Sequence, residues 1–363
     1  MLKGFFKKTL GRDDMLGLLA AALKKHDQST VIDCLTHIAK EYETDPEVCQ
    51  PVEVALNQLH TWNDPYLVLM TTARILEHAP ESRQLALIAD KAALKAAALL
   101  ESSDPCYALE IYARMFERMP PESGLQLDCI DGALRVTNNP GPVDFESLAR
   151  RLAQMVDASD DSDPAQTKLQ NRLFDMADKT KDPVLAMELF LEIFGNSDTG
   201  SAIERDSYDE IIKISKAVSL ENTSLILEGL YHAHEVAAEN PARQRAIEDE
   251  ILRHADTLLQ HDSFSSFSAY HFLLEGLPEA DERTSVMIDR LLPMCEEGRQ
   301  RDFESSMQAL ALIINKADPH SFAQSRARTL YNQAVQRSTP QDYAEIKPLS
   351  PKNFILLQGN QPR

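Results

Sequence analysis

Apolar residues recur along the chain at alternating spacings of three and one, which is the spacing of one face of an α-helix. The clearest example is the series Ala108, Ile111, Tyr112, Met115, Phe116 and Met119. Residues 184–194 are apolar nearly throughout, which predicts a helix buried on most of its sides. No segment shows the two-residue alternation of a half-buried strand, so the pattern predicts an all-α protein.

Asp-Pro and Asn-Pro pairs mark the expected starts of many helices. An Asp or Asn side chain at the N-cap accepts backbone N–H bonds, and a following proline has no N–H to satisfy and a preset φ. These pairs begin at Asp45, Asp64, Asp104, Asp163, Asp182, Asn240 and Asp318. Successive starts are separated by near-multiples of about 20 residues, the length of one helix of roughly four turns plus a connector.

Two such intervals make a helical hairpin of about 40 residues, comparable to a HEAT unit and somewhat longer than a TPR. A single hairpin cannot bury its own apolar faces, so neighbouring hairpins must stack. The sequence therefore predicts an α-solenoid of about 16–17 helices in antiparallel hairpins, HEAT-like or TPR-like, with an extended C-terminal tail.

One segment resembles the second helix of a TPR. The resemblance rests on the spacing of Ala108, Tyr112 and Pro120, with Ala92, Ala96 and Leu99 in the matching places of the first helix. Met115 departs from the small residue of that pattern, and the 34-residue period is not sustained, so the prediction concerns the class of fold and not the family.

The composition divides the chain into three parts. Residues 1–12 form a basic amphipathic segment, residues 13–337 the solenoid, and residues 338–363 a tail with four prolines in which helical periodicity stops. An acidic linker near 157–164 or a polar loop at 195–201 is the expected hinge of the solenoid.

The charge distribution constrains the class of partner. The formal net charge is −20, with +4 on residues 1–12, +4 on residues 319–363 and −28 between them. Such a surface disfavours nucleic acid and favours a basic protein or peptide, bound along an acidic concave surface. The five cysteines form no CxxC pair, which is typical of reduced thiols in a cytoplasmic protein. No apolar run reaches the length of a membrane span.

Candidate catalytic chemistry is sparse. Twelve glycines in 363 residues argue against Rossmann, P-loop and β-sandwich folds. The loop Gly195–Ser201 lacks the Lys of a phosphate loop, and the acidic linker lacks the Gly and Glu of a calcium loop. We therefore expect no cofactor, no metal and no catalytic residue. An enzyme, the alternative, would place His254, His261 or His271 in one pocket with two carboxylates.

The N-terminal segment offers two interpretations. It combines apolar and basic positions on one short predicted helix, namely Leu2, Phe5, Phe6 and Leu10 with Lys3, Lys7 and Lys8. This composition fits a weak interfacial anchor, which would make the protein peripheral at a membrane. The same helix equally fits a cap over the first hairpin, because a solenoid must cover its terminal apolar face.

The tail contains one apolar cluster, made of Phe354, Ile355, Leu356 and Leu357. Its burial and its ordering cost are of similar size, so we expect conditional docking. Docking along the acidic groove would bring Lys347 and Lys352 near carboxylates and compete with a partner. The alternative is that the tail covers the last hairpin.

From these patterns the first hypothesis for function is a non-catalytic scaffold or adaptor that binds another protein.

Overall fold

A computed structural model describes residues 11–121, 123–138, 145–159, 164–278, 281–298 and 303–337. Within these ranges the chain forms seventeen α-helices and no strand. It divides into two compact units, residues 1–208 and 209–363, with the boundary inside α11 (Ala202–Ala217). The two hinges expected from the sequence remain predictions.

Unit 1 contains ten complete helices, and unit 2 contains six. The helices of unit 1 are α1 (Arg12–Lys25), α2 (Gln28–Glu41), α3 (Cys49–His60), α4 (Pro65–His78), α5 (Arg83–Leu100), α6 (Pro105–Phe116), α7 (Gly124–Asn138), α8 (Phe145–Asp157), α9 (Pro164–Lys179) and α10 (Pro183–Gly195). Those of unit 2 are α12 (Thr223–Val236), α13 (Pro241–Leu258), α14 (Ser263–Gly276), α15 (Arg283–Gly298), α16 (Phe303–Lys316) and α17 (Phe322–Arg337). In the part of the chain that the structure describes, three single 3-10 turns lie at Pro46–Val48, Leu220–Asn222 and Ala237–Glu239.

Most helices pack against a neighbour in sequence, and many also pack against the helix two places on. In unit 1 this gives an odd layer, in which α1, α3, α5, α7 and α9 pack in succession, and an even layer made of α2, α4, α6, α8 and α10. In unit 2, α14 packs on α16 and α15 on α17 in the same way. The predicted α-solenoid of antiparallel helical hairpins is thereby confirmed.

Most of the predicted helix starts are also confirmed. The side chain of Asp64 accepts the Leu67 N–H at 3.0 Å, and those of Asp104, Asp182 and Asn240 cap α6, α10 and α13 in the same manner. Asp45 caps the 3-10 turn that precedes α3. These caps satisfy N–H groups that a helix leaves without intrahelical partners.

The start predicted at Asp318 is wrong by three residues. The backbone carbonyl of Asp318 accepts the Ser321 N–H at 3.0 Å. This bond closes a turn with proline at its second position and His320, at φ 65°, at its third. That is the arrangement of a type II turn, which directs the chain away from helix at this point. Helix α17 begins after it, and the hydroxyl of Ser321 caps the Gln324 N–H at 3.2 Å. Asp163 lies outside the described residues.

A ladder of basic side chains runs along the odd helices of both units. Within each unit its members are 36 to 40 residues apart in sequence, and each binds a group on, or at the end of, the preceding odd helix. The pairs are Lys95 with Asn57, Arg135 with Glu101, Arg172 with Thr137, Arg253 with Ser215, Arg290 with Asp256, and Arg326 with Glu296. The repeat length expected from the helix starts is therefore present in the side-chain contacts as well.

The core is built from the inner faces of the two layers. Helix α10 buries eight of its residues, as its nearly continuous apolar sequence predicts. The fully buried Tyr112 of α6 lies flat against Gly132 of α7, where an added Cβ would fall 2.4 Å from the ring. Its hydroxyl donates to Glu101 at 2.6 Å, and Arg135 of the ladder binds the same carboxylate. Here α6 and α7 approach closely because glycine leaves room for the ring.

Candidate functional site: a groove between α4 and α6

Helices α4 and α6 are held together at their N-terminal ends. The rings of Tyr66 and Tyr107, near the starts of the two helices, stack with centroids 5.6 Å apart and an interplanar angle of 20°. Asp104 joins them, because one carboxylate oxygen accepts the Tyr66 hydroxyl at 2.7 Å while the other accepts the Tyr107 N–H at 3.2 Å. The cap of α6 therefore also fixes the start of α4.

Beyond this junction α4 and α6 are not among the helix pairs in extensive contact, and a cavity of about 520 Å³ lies between them. We call this cavity the α4/α6 groove. Its walls come from α4 and from α6 with the residues just after it, and α5 contributes its floor. The lining residues are Leu69, Thr72, Ala73, Leu76, Glu77, Asp90, Ala93, Ile111, Arg114, Met115 and Arg118.

The spacing of the lining residues follows from the helices that carry them. Leu69, Ala73 and Leu76 lie at i, i+4 and i+7 on α4, and Ile111 and Met115 lie at i and i+4 on α6, so each set covers one helix face. The two faces run in parallel because α4 and α6 belong to the same layer. An apolar cleft with few polar groups is the usual form of a binding pocket, and its volume falls in the typical range of about 300–1,000 Å³.

Asp90 is the polar group at the floor of the groove. The residue is only 6% exposed, and within the described part of the chain its ion pair is with Arg118, at 3.3 Å between Nη2 and Oδ1. Burial raises the pKa of the Asp90 carboxyl, and the nearby Arg118 guanidinium only partly offsets this effect. The Arg118 side chain is 47% exposed, so its own pairing costs little to exchange.

The second arginine of the groove has different partners. Arg114 pairs with Glu110 one turn earlier on α6, and Glu110 also pairs with Arg151 of α8 at 3.5 Å. Both arginines line the groove, but Arg114 is paired with Glu110 and Arg118 with Asp90.

Nucleophilic groups are few in the groove. Thr72 carries the one hydroxyl among its lining residues, and that hydroxyl already donates to the Leu69 carbonyl at 2.9 Å. The lining includes neither histidine nor cysteine. The groove offers apolar contact area and four charged side chains, of which only Asp90 is buried.

A second cavity, of about 320 Å³, lies in unit 2 among the start of α15, the end of α16 and the start of α17. Its lining includes four acids, Asp281, Glu282, Asp289 and Asp318. Asp281 accepts the Arg283 N–H at 2.9 Å and pairs with the Arg283 guanidinium, and these contacts lower its pKa to about 2. Its charge is thus already used by the fold, unlike that of Asp90.

The histidines of the enzyme hypothesis lie outside both cavities. His254 is buried between α11 and α13, with Nε2 2.9 Å from an Arg253 nitrogen, and burial lowers its pKa to about 4. His271 stacks on Phe267 one turn earlier on α14, and burial lowers its pKa as well. Within the described ranges no three His, Cys, Asp or Glu side chains are grouped as metal ligands.

Four of the five cysteines are buried. Burial raises the pKa of Cys34 to about 11 and that of Cys129 to about 12. Because the thiolate is the reactive form, these side chains act as packing groups and not as nucleophiles.

The site residues expected from the sequence cannot be placed by this structure. The N-terminal contact residues, Leu2 to Leu10, and the tail residues, Lys347 to Leu357, lie outside the described residues. Sequence reasoning missed the α4/α6 groove altogether. One signal was present, since Asp90 is an acid in the otherwise apolar and alanine-rich face of α5.

Fold and groove together define a class: an all-α protein of stacked helical hairpins. No protein-family model matches the chain, and no curated protein is significantly similar to it in sequence. Among solved structures it is similar to a "circular tandem repeat protein with novel repeat topology and enhanced subunit contact surfaces". The identity is 11%, the match covers 89% of this chain and 88% of that chain, and the TM-score is 0.33. At that TM-score the likeness carries no functional argument, and the class rests on the helix packing.

No helix within the described ranges is both long and apolar enough to cross a bilayer.

Proposed function

We propose that the protein is a non-catalytic interaction scaffold that binds a basic partner protein through its helical repeats. The observation that carries the proposal is the α4/α6 groove, where the even layer is interrupted and apolar side chains surround a buried carboxylate. Grooves of this kind between helices accept side chains of a partner segment. The net charge of −20 supports a basic partner, because opposite charges speed and orient association.

The proposal extends to the compartment. Buried cysteines with raised pKa values suit a reducing environment such as the cytoplasm, where thiols stay reduced.

The test is selection of peptides from a random 12-residue phage-displayed library on the immobilised full-length protein. A matched pair of variants reports where the peptides bind. Ala73→Trp places an indole in the groove at an exposed position of α4, and Ala98→Trp places one at an exposed position of α5 outside the groove lining. Circular dichroism verifies that both variants fold.

We expect enriched peptides to bind wild type and Ala98→Trp alike and to bind Ala73→Trp about tenfold more weakly, because the indole occupies the space that their side chains need. Peptides that bind both variants equally well, or a library that yields none, would contradict the groove as the binding site.

A further inference from the structure

We propose that the α4/α6 groove selects a partner segment with a lysine or arginine next to large apolar side chains, and that this basic side chain replaces Arg118 as the partner of Asp90. The inference rests on the proposed function and specifies the chemistry of its ligand. It follows from three features of the groove: its shape, its buried charge and the exposure of its present ion pair.

The shape requires apolar side chains. The space between the two parallel helices is lined by Leu69, Leu76, Ile111 and Met115. At its floor, the small side chain of Ala93 on α5 leaves depth for a partner's side chain. A space of about 520 Å³ is smaller than a docking site for a whole helix, but it holds side chains projected from a segment that lies across the rim. Apolar side chains of the partner would cover Leu76 and Ile111, which are half-buried, whereas Leu69 and Met115 are already buried by the fold.

The buried charge requires a cation. A carboxylate that is only 6% exposed is costly to keep ionised unless a positive charge compensates it. Arg118 does so through one contact at 3.3 Å, from a position after the last residue of α6. A single contact of this length leaves acceptor positions of the carboxylate open to a second donor.

The exposure of Arg118 makes the exchange possible. Its side chain is 47% exposed and remains hydrated after leaving Asp90, so the free-energy loss is that of a surface ion pair. The incoming cation would instead be enclosed by the apolar walls, where its attraction to Asp90 is screened less by water. Arg114 also lines the groove, but its ion pair is with Glu110 and not with Asp90.

The charges around Asp90 set the direction of selection. Glu77 lines the α4 wall and is exposed, and it forms none of the ion pairs found in the described residues. With Arg118 released to solvent, Asp90 and Glu77 face the incoming side chain, and Arg114 is neutralised by Glu110. The groove therefore favours a cation over an anion.

The experiment repeats the peptide selection on three single variants. Asp90→Asn removes the buried charge and keeps the shape, Arg118→Ala removes the resident cation, and Arg74→Ala is the matched control at an exposed position of α4 outside the groove lining. A fluorescein-labelled peptide from the wild-type selection, and its version with norleucine in place of the basic residue, are then titrated against each protein by anisotropy.

We expect enrichment of Lys or Arg beside Leu, Met or Phe on wild type, and loss of the basic preference on Asp90→Asn. Norleucine should weaken binding to wild type about tenfold and binding to Asp90→Asn less than about twofold, because the coupling resides in the Asp90 pair. Arg118→Ala should bind the basic peptide more tightly than wild type, and Arg74→Ala should match wild type.

Two outcomes overturn the inference in distinguishable ways. Selected peptides that carry Asp or Glu and lose affinity on Arg118→Ala would make Arg118 the receptor of an anion, which rejects the inference and keeps the scaffold. Peptides that bind Ala73→Trp as tightly as wild type would reject the groove as the binding site, and with it both the proposed function and this inference.

Discussion

Helix α6 has two sides that differ in how the fold uses them. On the α8 side, Glu110 pairs with Arg151, and buried residues of α8 such as Leu148 and Leu152 complete the layer. On the α4 side, the rings of Tyr66 and Tyr107 stack at the junction, and the groove lies beyond it. A regular repeat closes every such contact, so an interruption in the layer is where a partner can replace the missing neighbour.

The two sides also differ in how their acids are treated. Glu110 is a bridging acid shared by two arginines, whereas Asp90 is buried with one exposed arginine. On the α8 side, the acid is paired with two arginines of the fold. On the α4 side, Asp90 is paired with one exposed arginine, which the cation of a partner can replace. The following predictions test this contrast, and unfolding is followed by the single tryptophan, Trp62, which lies in unit 1 just after α3.

The largest effect is expected from Gly132→Ala, at the close contact between α7 and α6. The new Cβ would lie 2.4 Å from Cζ of Tyr112, so the ring and helices α6 and α7 must move apart. Overpacking of this kind costs about 1–3 kcal/mol, occasionally more. The urea transition followed by Trp62 fluorescence should fall to lower urea concentration.

The matched control is Gly17→Ala on an exposed position of α1, where no atom lies within 4 Å of the added Cβ. It should stabilise by about 0.5–1 kcal/mol through helix propensity. Equal effects of the two substitutions would show that the Tyr112 contact is not tight.

The next effect is expected from Tyr112→Phe, which keeps the ring on Gly132 and removes the hydroxyl. The Glu101 carboxylate then loses its donor at 2.6 Å but keeps Arg135. The cost of one hydrogen bond to a charged group is about 1.5 kcal/mol or somewhat more, and the retained arginine reduces it toward about 1 kcal/mol. An unchanged Trp62 transition would show that the hydroxyl contributes nothing to this contact.

In the α4/α6 groove, Asp90→Asn should leave unit 1 at least as stable as wild type at pH 7. The pKa of Asp90 is raised above its ordinary 3.8 by burial, so its contribution to stability is full below pH 3.8 and is lost as pH rises through the folded-state value. The neutral amide avoids this loss, and the gain should shrink between pH 7 and pH 4. A clear loss at pH 7 would mean that the Arg118 pair outweighs burial.

Asp281→Asn in unit 2 provides the control of opposite sign. The pKa of Asp281 is lowered to about 2, so its stabilisation is present above pH 3.8 and is lost as pH falls toward 2. The variant should lose about 1 kcal/mol at pH 7, a value that allows for screening by solvent. Circular dichroism should record the loss, while the Trp62 transition of unit 1 stays unchanged.

The smallest effect is expected from Tyr66→Phe at the junction of α4 and α6. The ring stack with Tyr107 remains, and only the exposed bond to Asp104 is removed. We expect a loss of about 0.5 kcal/mol in the Trp62 transition. A loss above about 2 kcal/mol would make this bond the principal tie between the helices.

Most of the fold could be predicted from the sequence because local capping residues mark the helix starts. Asp64 and Asp104 cap α4 and α6 as expected, and their separation of 40 residues is one hairpin. The prediction at Asp318 was wrong because the chain turns there, with a positive φ at His320. The Asp-Pro pair alone does not distinguish such a turn from a helix start.

The groove could not be predicted in the same way. Whether α4 touches α6 depends on how both seat on α5, which is a property of three helices and not of any one segment. Asp90 was visible as an acid on an apolar face, but its exposure and its pairing with Arg118 require the folded arrangement. Local signals define elements, and the site arises from a gap between them.

The basic ladder of the odd helices has a consequence for synthesis of the chain. In the described residues, its bonds and the other helix-to-helix ion pairs join partners no more than 41 residues apart. A ribosome adding about 5–20 residues per second supplies that length in roughly 2–8 seconds. Each hairpin can therefore acquire its lasting neighbours while later hairpins are still untranslated, and the apolar face exposed at any moment is only that of the newest repeat.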